Sequence, residues 1–204
     1  MRSVTLRPFF HLLVALPLIV MVLRWSALIA GTSSRIAGLS AEPIDFTINY
    51  LGLWAIRLLL LTMCIGPLAR KLRFPSLMAL RRPAGLWTFT YALIHLGVYL
   101  GLDLLGDLAL LWEDVIKHRF ILFGMAAFLL LAPLAVTSTH RWIRRIGARR
   151  WQKLHRLVYG AALLAAAHFI LRVKGFQVEP WIYAGCFAIL LLIRALPILR
   201  KKLT

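Results

Sequence analysis

Acidic side chains are scarce in this 204-residue sequence, with seven Asp and Glu against 25 Lys and Arg and a formal net charge of +18. All seven, Glu42, Asp45, Asp103, Asp107, Glu113, Asp114 and Glu179, lie in or at the edges of connections between apolar runs, and none lies deep within a run. A proton or ion carrier built on membrane-embedded carboxylates therefore lacks its groups. Cysteine is nearly missing as well. Cys64 and Cys186 sit inside apolar runs with no CxxC and no Cys/His cluster, which argues against a disulfide framework or a thiolate metal site and leaves packing as their reading. The sequence has no GxGxxG, P-loop, GxSxG or HExxH, so the common signatures of soluble enzymes are absent. Internal repeats and low-complexity segments do not stand out. Any chemistry must sit within the membrane.

Apolar residues, by contrast, are abundant. They make up 61% of the chain, with a mean hydropathy of +0.82, against roughly 45–50% in a soluble domain. Six runs approach the ~20 residues a helix needs to cross the hydrocarbon: 9–29, 47–68, 85–105, 120–137, 154–171 and 181–199. The expected fold is an all-α integral membrane protein, a six-transmembrane helical bundle forming a single domain over 1–204. The first run is long and lacks a small-x-small cleavage site, so it reads as a span rather than a cleavable signal peptide. Gly and Pro mark span ends in "GPLAR" (66–70) and "RRPAGLW" (81–87).

The position of the charges sets the orientation. The acids fall in the first, third and fifth connections. Basic residues take the other side: Arg2 and Arg7, then Arg70, Lys71, Arg73, Arg81 and Arg82, a run from Arg141 to Arg156, and the C-terminal "RKK". By the positive-inside rule both termini and the two basic loops are cytoplasmic, in a multi-pass membrane protein. Topology and anionic lipid headgroups account for such loops, and nucleic-acid binding is rejected.

Six histidines remain, and they sort by depth. His118 and His140 lie in connections and His11 at the start of the first span, where solvated or interfacial imidazoles are ordinary. His95, His155 and His168 lie within spans, where an ionisable group is costly enough to suggest function. The interval from His155 to His168 covers about 20 Å of helix, and the two differ by roughly 140° around an undistorted axis. One small metal site cannot hold both. Two sites at two depths follow, with His155 near the cytoplasmic face and His95 and His168 further out, able to face each other across the bundle. Neutral imidazoles from two facing helices suit a six-coordinate haem iron that passes single electrons. A histidine bonded to a neighbouring helix is the plain alternative for each taken singly.

The runs "NYLGLWAIRLLLLTMCIGPLARKL" (49–72), "RRPAGLWTFTYALIHLGVYL" (81–100) and "PLAVTSTHRWIRRIGARRWQKLHRLVY" (133–159) closely resemble the haem-binding membrane subunits of bacterial periplasmic methionine sulfoxide reductase systems. "WQKLHRLVY" is the most specific part, and the resemblance covers nearly the whole chain. The wider family is the ferric-reductase-like transmembrane domain, shared with NADPH oxidases and metalloreductases. The resemblance implies stacked b-type haems, one or two, whose histidine ligands fall on His95, His155 and His168. It also implies a periplasmic, molybdopterin-containing methionine sulfoxide reductase as the partner that receives the electrons, so that this chain is not itself catalytic on methionine sulfoxide.

Two departures matter. NADPH oxidases carry a fourth histidine where this chain has Arg81, so the outer pair His95 and His168 is complete by analogy while the inner haem has only His155. Its other axial position is empty, or filled by water, His140 or another group. NADPH oxidases also continue into a flavin and nicotinamide domain, whereas this chain stops at Thr204 after its last span. Electrons are then expected from a cytosolic flavin reductase, from bound flavin mononucleotide (FMN) or from quinol. The basic loops suit a flavin phosphate, and topology explains the same charges. Arg57, about 20 Å from the inner face by helix rise, either snorkels to the outer headgroups or pairs with a propionate of the outer haem. An electron-transfer subunit is thus the leading function. A histidine-based proton or ion transporter and a cofactor-free membrane anchor are its competitors.

Overall fold

The protein is described here by a computed structural model covering residues 2–173 and 175–203. Helix is the only regular secondary structure among them. Six helical segments are long and apolar enough to cross a membrane: Leu6–Ile29, Pro43–Lys71, Pro75–Asp103, Arg119–Val136, Ala148–Arg172 and Val178–Leu196. Each corresponds to one of the six apolar runs. The α-helices behind them are α1 (Arg2–Ile29), α2 (Pro43–Lys71), α3 (Met78–Val98), α4 (Leu108–Lys117), α5 (Arg119–Val136), α6 (His140–Ile146), α7 (Ala148–Leu154), α8 (Leu157–Arg172) and α9 (Val178–Leu203).

Two spans are compound. The third begins with a 3₁₀ turn at Pro75–Leu77 and ends in a π-helical turn at Tyr99–Asp103. The fifth joins α7 to α8 through His155 and Arg156, where the amides of Arg156 and Tyr159 bond carbonyls three residues back, Lys153 at 3.1 Å and Arg156 at 3.0 Å. The undistorted axis assumed between His155 and His168 therefore does not hold. Tightening to the i−3 pattern rotates everything before the junction relative to α8, so ideal-helix angles do not relate His155 to His168.

Counting apolar runs also passed over α4, which is too short to span. Asp107 caps it, its carboxylate accepting the amides of Ala109 at 2.8 Å and Leu110 at 3.1 Å. Leu108, Leu110, Trp112 and Ile116 stand exposed along it, the composition of a helix lying in a membrane interface.

Packing sorts the helices into two pairs, α2 along α3 and α5 along α8, with α9 against α2 and α8 and α1 outside against α3. One core joins Ile56, Leu59 and Met63 of α2 to Leu131 and Leu134 of α5, Val158, Ala161, Ala162 and Ala166 of α8, and Phe187 and Leu190 of α9. Small residues let backbones approach where lipid supplies no hydrophobic drive; Ala161 and Ala162 are fully buried. A second core of Phe10, Val14, Leu51, Leu58, Ile65, Ala84 and Tyr91 joins α1, α2 and α3, and the Tyr91 hydroxyl donates to the Val14 carbonyl at 2.8 Å.

Polar bonds in the bundle repair what proline removes. Pro67 has no N–H to offer the carbonyl of Met63 four residues back. Arg194 of α9 donates to that carbonyl at 2.5 Å, and to the Tyr159 hydroxyl at 2.9 Å. One guanidinium thereby ties α9 to both α2 and α8.

Candidate functional site

His95 of α3 lies over Gly52 of α2, and His168 of α8 lies over Gly124 of α5. A Cβ on Gly52 would come within 3.1 Å of His95 Cε1, and one on Gly124 within 2.6 Å of His168 Nδ1. Each imidazole also meets the carbonyl four residues before its glycine: His95 Nδ1 bonds Ile48 O at 2.8 Å, and His168 Nδ1 bonds Phe120 O at 2.6 Å. Carbonyl and histidine are 47 residues apart in the first pair and 48 in the second. The two helix pairs therefore build the same cradle twice. Because a carbonyl can only accept, Nδ1 carries the proton in both rings and Nε2 keeps its lone pair.

The two rings face each other with centroids 6.3 Å apart and planes at 84°. They line a cavity of about 450 Å³ between α2, α3, α5 and α8, walled mainly by apolar side chains such as Leu53, Ile56, Phe128 and Leu131. That volume lies within the roughly 300–1,000 Å³ of small-molecule and cofactor sites. Metal–imidazole bonds of about 2 Å on opposite sides of one ion put ring centroids about 6 Å apart, which is the spacing seen. Among the described residues no group of three or more His, Cys, Asp or Glu could hold a metal ion. Two facing imidazoles alone suit a metal whose remaining ligands come from a macrocycle, so the residues present fit a haem.

His155 stands apart, at the α7–α8 junction toward the basic end. Its Nδ1 bonds Trp151 O at 3.1 Å, its ring stacks on Trp151 at 3.8 Å between centroids, and Trp151 Nε1 is anchored on Thr137 O at 2.9 Å. Its Nε2 is buried without a hydrogen-bond partner. As in the other two rings, the nitrogen left over is the one that would ligate iron.

The remaining candidates fall elsewhere. Arg57 donates through Nε to the Tyr183 hydroxyl at 3.0 Å, reaches Glu179 at 3.6 Å and lies over Trp54. It is not among the residues lining the cavity. His140 Nε2 accepts from Arg82 at 3.1 Å, and His11 Nδ1 accepts from Trp87 Nε1 at 2.8 Å. His118, half-exposed, does reach the cavity rim, 3.6 Å from Asp114. At that rim the Tyr99 hydroxyl also donates to Asp114. On the solvent side of α4, Glu113 holds the Lys117 ammonium above its usual pKa range.

Sequence reasoning missed Gly52 and Gly124, whose signal is their position opposite a histidine on another helix. It also missed Arg172, Asp45 and Asn49, which line the cavity at its acidic end. The position of Arg172 four residues after His168, at a helix end, was available as a signal.

Comparison with known proteins follows the same outline. The family model described as ferric reductase like transmembrane component matches residues 51–166. The chain is similar to the protein-methionine-sulfoxide reductase haem-binding subunit MsrQ of Caulobacter vibrioides, 47% identical over 156 residues, covering 76% of this chain and 74% of the relative. The MsrQ of Rhodospirillum rubrum is 44% identical over 167 residues, 80% of this chain and 79% of the relative, and that of Xanthomonas campestris 46% over 153 residues, 75% and 70%. The chain belongs to the MsrQ family of ferric-reductase-like transmembrane components. With its six apolar helices it is a multi-pass bacterial membrane protein. The matched stretch includes Gly52, His95, Gly124 and His155 and ends just short of His168. No solved structure matches the chain.

Proposed function

We propose that this chain is the b-type haem electron carrier of a methionine sulfoxide reductase system. It passes electrons from the cytoplasmic side or the quinol pool to a periplasmic molybdenum-dependent reductase that acts on methionine sulfoxide. When bound, haem supplies a one-electron couple. His95 and His168 would hold one iron through Nε2, and His155 would serve a second site nearer the basic end. Bonds from Nδ1 to Ile48, Phe120 and Trp151 carbonyls hold each ring in the ligating tautomer. The basic end is cytoplasmic by the positive-inside rule, so both termini are too. Its donor is a cytosolic flavin reductase, bound FMN or quinol.

The observation that carries this reading is the facing pair, two imidazoles 6.3 Å apart with both Nδ1 atoms already engaged. Visible absorption of the purified protein tests it. A Soret band that sharpens on reduction with an α band supports the carrier, and a colourless protein from haem-replete cells overturns it.

A further inference from the structure

At the acidic end the haem cavity adjoins a second, polar one, and the two share Asp45, Asn49, Leu53, Phe169 and Arg172. Arg172 closes α8 one turn after His168, about 6 Å further along the axis. Its side chain is 28% exposed, and its ion pair among the described residues is a long one, 3.8 Å to a carboxylate of Asp45 that is itself 61% exposed. Asp45 also accepts from Asn49 Nδ2 at 3.0 Å, while the buried Asn49 Oδ1 has no partner. A guanidinium on the wall of an apolar cavity is expensive without an anion held at hydrogen-bonding distance. Asp45, mostly solvated and slightly too far, answers that need only in part. Arg57 at the same end has a hydroxyl bond and its own carboxylate, and is not among the residues lining the cavity.

We infer that Arg172 binds a carboxylate on the edge of the ligand held between His95 and His168, and that Asp45 is the counter-ion this carboxylate displaces. The inference rests on the haem reading, in which that edge is a propionate. Arg172 then acts as a positioning residue. It fixes the macrocycle's rotation about the His95–His168 axis, and its positive charge favours the reduced iron. Asp45 opposes that charge.

Potentiometric titration of the purified full chain, with haem-to-protein ratios, tests this. Arg172→Gln lowers the midpoint potential of the haem that His95→Ala removes and weakens its retention about tenfold or more, as expected for a lost charge-assisted bond. Arg172→Lys restores part of both, and Asp45→Asn raises the potential. Arg57→Gln, a cation lost outside the cavity, gives a smaller shift. An unchanged potential in Arg172→Gln, or an equal shift in Arg57→Gln, overturns the assignment while leaving the haem reading intact. Full haem content in His95→Ala overturns the haem reading itself. Should Arg172→Gln not accumulate, Asp45→Asn decides: an upward shift supports the inference, and no shift rejects it.

Discussion

His168 packs over Gly124 so closely that any Cβ there would lie 2.6 Å from its Nδ1, the atom that also bonds Phe120 O. Gly124 is therefore part of the site although it carries no ligating atom. Gly124→Ala must push the ring off its carbonyl or part α5 from α8, a cost of about 1–3 kcal/mol for an overpacked contact. The variant is expected to lose most of the haem held by His95 and His168. Gly52→Ala, with 3.1 Å to His95 Cε1, is expected to lose less. Haem per protein, measured after equal expression, checks the order; a Gly124→Ala protein with full haem and an unaltered spectrum contradicts it.

The separation of His155 from the facing pair predicts two spectral components. His95→Ala and His168→Ala are expected to remove the same one, since each deletes one of two axial bonds. His155→Ala is expected to affect a different one. Loss of the same component in all three variants would rule out two sites.

Arg194 and Pro67 form a compensating pair. Arg194→Leu leaves the Met63 carbonyl without a donor in an apolar surround, costing about 1–3 kcal/mol. Replacing Pro67 by Ala returns an N–H to that carbonyl, so the Arg194→Leu penalty is expected to shrink in the Pro67→Ala background. A double-mutant cycle on thermal unfolding in detergent measures this coupling, and strict additivity would show that the carbonyl bond is not what Arg194 contributes.

Charge at the two ends predicts direction. On the proposed function, reversing Arg149, Arg150 and Lys153 is expected to slow haem reduction by an anionic flavin donor, more at low salt than at high, and to leave reoxidation by the proposed periplasmic partner unchanged. Reversing Asp103 and Glu113 at the other end is expected to do the opposite, if that partner docks through a basic patch. Stopped-flow reduction and reoxidation separate the two. An inner-loop effect confined to reoxidation would reverse the assigned direction.

Much of the fold was legible because lipid imposes length: six predominantly apolar runs of crossing length can do little but cross, and each corresponds to a helical segment long and apolar enough to do so. Depth was legible for the same reason, since rise per residue in a helix is constant. That singled out His95 and His168, which the structure brings together, but set aside His118, which reaches the rim of the same cavity. The helix junction at His155 was not legible, because "KLHRLVY" carries no Gly or Pro to mark a break; the junction shows only in the i−3 bonds of Arg156 and Tyr159. The short helix α4 was missed because its apolar run, Leu108–Trp112, ends after five residues at Glu113 and Asp114, far short of the length that marks a span.

The sequence by itself determined the solvent of this protein and the number of helices able to cross it, both of which follow from local composition and a fixed helical rise. Only the tertiary structure decided which groups meet at a level. Arg57 and Arg172 both lie toward the acidic end, yet Glu179 and Tyr183 engage one while the other lines the cavity. Gly52 and Gly124 acquire meaning from the imidazoles packed on them. Depth is a property of one helix, but the direction a side chain faces depends on how that helix is rotated against its neighbours. That rotation comes from packing α2 on α3 and α5 on α8.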